Sequence, residues 1–144
     1  MSGELHDLFA EVYDEVKAVL DETEGMSHPL VVLFRTSLED ERGAFERLLP
    51  ALEREKPELE SFKKDCSIVY LNDEIAESAF RAWLRAVDWM DHADSEEASK
   101  LENRFPGMKD TLKKAAAKME DIYGAAKIKY VVPALYQPQT GGVQ

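Results

Sequence analysis

Four stretches of this 144-residue chain repeat apolar side chains at alternating steps of four and three residues. No other feature constrains the fold as strongly, because that spacing lays one apolar seam along a helix. In the first stretch, about 4–24, Leu5, Phe9, Val12, Val16 and Val19 share a face, widened by Leu8, Tyr13 and Leu20. In the second, Leu30, Phe34, Leu38, Phe45, Leu48 and Leu52 do the same. The third, about 74–93, carries Ala76, Phe80, Trp83, Val87 and Met90. The fourth, about 108–129, carries Met108, Leu112, Ala115, Met119, Ile122 and Ala126. Seams of this period suit helices crossing at about 20°. The expected fold is all-α, a four-helix-bundle-like core with one or two short extra helices near 58–65 and 95–104.

The breaks agree with that reading. Gly25 stops the first helix, Ser27 or His28 caps the second, and Pro29 suits its first turn. The second helix is expected to bend near Gly43 or Pro50. Asn72 or Asp73 is expected to cap the third, and Pro106-Gly107 precedes the last. The rival is an α/β fold. Segments 30–35, 67–71 and 129–132 are continuous, β-branched and apolar, and would pair as a small parallel sheet because helices intervene. That fold would move a site to the strand ends near Thr36 and Asn72.

The length fits one domain, with a helical unit over 1–130 and an uncharged C-terminal tail over 131–144. The stretch YVVPALY (130–136) is too apolar to be left in water, so it covers the bundle or docks on a neighbouring chain. The net charge of −11 is uneven. Residues 1–62 hold 16 acids and 6 bases, whereas residues 107–144 hold 3 acids and 6 bases. An acidic body repels phosphate backbones, which argues against direct nucleic-acid binding. The basic last third is expected against the acidic first helix, in the same chain or a second copy.

No apolar run is long enough to span a bilayer, and the acidic, amphipathic N-terminus is unlike a signal peptide. The single cysteine, Cys66, has no internal disulfide partner, so a cytoplasmic setting is the simplest expectation. Asn and Gln are scarce while Glu and Lys are common, a bias shared by hyperthermophile proteins and by GC-rich genomes.

Few residues suggest chemistry. Glu41 falls on the apolar seam of the second helix, where it reads first as a stripe-edge carboxylate paired with Arg42 or Arg47 and otherwise as a buried carboxylate at a site. Bundle metal centres of the carboxylate type need Glu-x-x-His motifs, and the residues three before each histidine are Gly3, Gly25 and Trp89. Asp88, His92 and Glu96 fall four apart and would bind one divalent metal weakly. His92 in a helix's last turn has a simpler role as a dipole partner. Trp89, Tyr130 and Tyr136 are the candidates for contact with a partner. Cys66 lacks an activating environment, and no nucleophile-elbow, phosphate-loop or dinucleotide pattern occurs.

No catalytic residue and no cofactor is therefore expected. The chain reads as a small acidic helical protein that works by protein–protein interaction or self-association as a homo-oligomer, with its acidic face available to a partner's basic surface. The alternative is a bundle enclosing a metal ion or small ligand near Glu41, with redox or hydrolytic activity.

Overall fold

A computed structural model describes residues 2–54, 57–87 and 92–138. The elements are α1 (Ser2–Glu22), α2 (Pro29–Leu52), α3 (Leu59–Val87), α4 (His92–Leu101), α5 (Arg104–Tyr123), α6 (Ala125–Ile128) and a 3-10 turn, Ala134–Tyr136. Among the described residues there is no strand. The all-α expectation holds and the small parallel sheet does not. Segment 30–35 lies inside α2 and segment 67–71 inside α3.

The reason is tertiary. β-branched residues cost a helix only tenths of a kcal/mol each, so packing decides. Traced backwards from Ala76, the seam of α3 passes through Asp73, Val69, Cys66 and Phe62 without a break in period, and all of these are buried. One 29-residue helix therefore replaces the expected short helix, strand and capped third helix. Asp73 is in the middle of α3, where it caps nothing.

His28 caps α2, its Nδ1 accepting from the Leu30 N–H at 3.1 Å, and Pro29 opens the first turn. Pro50 sits in the last turn. Gly25 turns the chain at a φ of 87°. α1 packs against α2 and α5, and α2 runs against α3 for most of its length. The acidic α1 and basic α5 meet as their charges suggest. Arg104 donates to Glu15 at 2.9 Å and to Glu22, and Lys118 pairs with Glu4 at 2.9 Å.

α3 and α5 touch each other much less. The C-terminal segment fills that seam. Ile128, Val131, Val132 and Tyr136 are buried, and Ser67 on α3 donates to the Val131 carbonyl at 3.0 Å. The stretch YVVPALY thus covers its own chain. Gly124 makes this possible by breaking α5 at φ 94° and ψ 146°, a region reserved for glycine. A Cβ there would meet no neighbour within 4 Å, so the penalty of Gly124→Ala is in the backbone alone. That variant should lose about 1–3 kcal/mol in urea denaturation.

The core has two aromatic clusters. Phe34, Phe80, Trp83 and Phe105 form one. Phe9, Phe45, Tyr70 and Tyr136 form the other. No helix among the described residues is long and apolar enough to cross a membrane.

Candidate functional site

Helical period places Glu41 on the buried face of α2, one turn from Phe45 and two from Phe34. Its side chain is 0% exposed. Glutamate is a good helix former, so α2 accepts it locally, but an interior carboxylate normally needs a cation or several donors. Glu41 has neither. Both of its oxygens are buried without a hydrogen-bond partner. The stripe-edge position and the arginine partner expected for Glu41 do not hold, because the period of α2 turns it inward, away from water.

Asp73 of α3 faces the same interior and is 2% exposed. Its Oδ2 accepts from the Tyr136 hydroxyl at 2.5 Å, while Oδ1 has no partner. Tyr70, one turn before Asp73, packs edge-on against Tyr136 with ring centroids 5.1 Å apart. Its hydroxyl is committed elsewhere, donating to the Leu112 carbonyl of α5 at 2.7 Å. At the rim, Glu77 engages Arg81 at 2.9 Å and Lys109 at 3.3 Å.

These surroundings favour neutral carboxyls. Burial, with a lesser push from the charge of Asp73, holds Glu41 well above the usual carboxylate range. Burial raises Asp73 from 3.8 to about 7, against the Tyr136 hydrogen bond and the Lys109 charge, which pull it down. Burial, then the charge of Asp73, raises the Tyr136 phenol, so it stays a donor. The pair can hold a proton, and a protonated carboxyl turns one orphaned acceptor into a donor. Among the described residues no three His, Cys, Asp or Glu side chains are placed to hold a metal ion. Cys66 is buried beside the sulfur of Met119 at 3.7 Å, and burial pushes its thiol up, away from a reactive thiolate.

A second feature lies on the outside of α3. Ile68, Leu71, Ile75, Ser78 and Ala82 repeat the four-three spacing, with Leu71 52% and Ile75 46% exposed, Ser78 also exposed, and Ile68 and Ala82 half-buried at the two ends. Leu30 and Leu33 of α2 flank this line across a hollow of about 450 Å³. At the other end it runs into a groove of about 960 Å³, bordered by Lys63, Lys64, Tyr123, Lys127 and Tyr130.

The residues singled out from the sequence are scattered across the molecule. Asp88 and Trp89 lie outside the described residues, as does the side chain of His92. Glu96 is exposed on α4. Tyr130 is 82% exposed at the groove. Tyr136, expected to meet a partner, is buried in its own chain because the tail fills the α3/α5 seam.

Sequence reasoning missed Asp73, Tyr70 and the outer line of α3. The signal for Asp73 was there, since the seam of α3 passes through it when traced backwards. The outer line was hidden because residues 67–71 read as a strand. In comparisons with protein-family models, curated proteins and solved structures, none matched this chain.

Proposed function

We propose that the protein works by self-association, with the outer line of α3 as the contact between two copies. The observation that carries this reading is a second four-three seam on a helix whose first seam already serves the core. A surface helix needs only one such seam, and a second one left half-exposed is the pattern of a helix–helix interface. From Ile68 to Ala82 the line is roughly 20 Å long at the α-helical rise.

Charge favours a second copy over an acidic or basic partner. The chain carries −11, so two copies repel over most of their surface. α3, with five acids and four bases, and α2, with four acids and three bases, are close to neutral, unlike α1, so the line and the α2 residues that flank it carry little of that repulsion. By contrast, several acids of α1 are already taken by Arg104 and Lys118 of α5, which weakens the reading of α1 as a face for a partner's basic surface. The enclosed-ligand alternative has the unpartnered oxygens of Glu41 and Asp73 in its favour, but lacks a third protein ligand among the described residues.

Native mass spectrometry and light scattering at high micromolar concentration should give a dimer. Leu71→Glu with Ile75→Glu should weaken it at least about thirtyfold, the effect of losing a hot spot of about 2 kcal/mol. Helix content should be unchanged, because both side chains are already half in water. A monomer at every concentration, or a double variant that dimerises like the parent, would remove the proposal.

A further inference from the structure

We infer that Glu41 and Asp73 form a proton-binding site whose occupancy controls docking of the C-terminal segment, residues 128–138, onto the seam between α3 and α5. This inference does not depend on the dimer.

Three buried carboxylate oxygens, both from Glu41 and one from Asp73, have no partner. The fourth, Asp73 Oδ2, is held by Tyr136, which arrives from 63 residues further along the chain. The segment that delivers Tyr136 is short and otherwise lightly held. Apart from the Tyr136 hydroxyl, its side-chain hydrogen bond to the rest of the chain among the described residues is the Ser67 hydroxyl on the Val131 carbonyl, while the Gln137 amide bonds the Lys129 and Val132 carbonyls within the segment. The segment closes the core at Asp73, where Tyr136 packs against the Tyr70 ring.

Two charges buried without a cation are too costly for a fold of ordinary stability. The titratable groups around the pair do not supply one. From α3 come Tyr70, Glu74 and Glu77, from α5 comes Lys109, and from the C-terminal segment comes Tyr136. Lys109 is the one cation among these, and it is bonded to Glu77. The closed state must therefore keep a proton on the pair. Undocking removes Tyr136 and admits water, which returns both carboxyls to ordinary acidity. The open state releases a proton that the closed state keeps, so rising pH favours opening.

Hydrogen exchange on the full chain tests this. The reporters are the amides of Val131, Val132, Tyr136 and Gln137, each bonded within the segment. Amides in the middle of α3 serve as the reference for global opening. After correction for intrinsic exchange, opening of the segment should rise at least about tenfold per pH unit between about pH 5 and 7, about tenfold for each proton released. The reference amides should move less.

Glu41→Gln and Asp73→Asn each keep the shape and remove one titrating carboxyl, so each should lower the slope, and the double variant should flatten it. Infrared difference spectra should show a protonated-carboxyl band in the wild type that the Glu41→Gln/Asp73→Asn double variant loses. A flat wild-type profile would overturn the inference, and so would an unchanged slope in both variants. Protection that depends on added Mg²⁺ or Ca²⁺ and vanishes with chelator would also overturn it, because the ligand would then be a cation.

Discussion

Between about pH 4 and 7 the folded protein should lose at least about 4 kcal/mol of stability that a Glu41→Gln/Asp73→Asn variant keeps, the figure for one retained proton. The sign follows from the direction of the shift. Asp73 rises from 3.8 in water to about 7 in the fold, so between those values the native state binds more protons than the unfolded chain. Its contribution is fully present below about 4 and is lost as pH climbs through about 7. Glu41, also raised, carries the loss further in the same direction. Urea denaturation of both proteins across this range is the measurement. The acidic surface has a pH dependence of its own, but it is common to both proteins, so the difference between their slopes isolates the pair. Coincident slopes would mean that the buried carboxyls titrate normally. A loss of this size is a large share of the 5–15 kcal/mol expected for a small domain.

Phe34→Ala should be the most damaging single truncation in the core, at about 3–5 kcal/mol. Its ring lies 6.0 Å from Phe80, 6.1 Å from Trp83 and 5.8 Å from Phe105, centroid to centroid. Those rings come from α3 and α5, so the cavity would open where α2, α3 and α5 converge. Edge-to-face contacts are lost together with the buried area. Val32→Ala, two residues away but half-exposed, should change stability by no more than about 0.5 kcal/mol. Equal effects at the two positions would contradict the orientation of α2.

How much of this was legible depended on whether the cause was local. Seams, caps and stops are set by neighbours within a turn or two. The apolar face of α2, the His28–Pro29 start and the Gly25 turn could all be read from the chain alone. So could the attraction between the acids of α1 and the bases of α5. The stretch from Cys66 to Asn72 could not be read this way. Its β-branched and aromatic residues prefer a strand locally, and Asn-Asp resembles a helix start. The long packing surface offered by α2 outweighs both preferences and keeps α3 helical from Leu59 to Val87.

The same division separates the two halves of the candidate site. Glu41 stood out in the sequence because a carboxylate interrupts an apolar seam. Its consequence did not, because that rests on what surrounds it. Asp73 comes from another helix, Tyr136 from the far end of the chain, and no cation accompanies them. The sequence by itself determined the helices and the face on which Glu41 sits, since both follow from a 3.6-residue period acting over short range. Only the tertiary structure decided that Asp73 would lie beside it, that Tyr136 would close over both, and that burial would hold a proton there. Desolvation is a property of everything packed around a group, and no local stretch of sequence contains it.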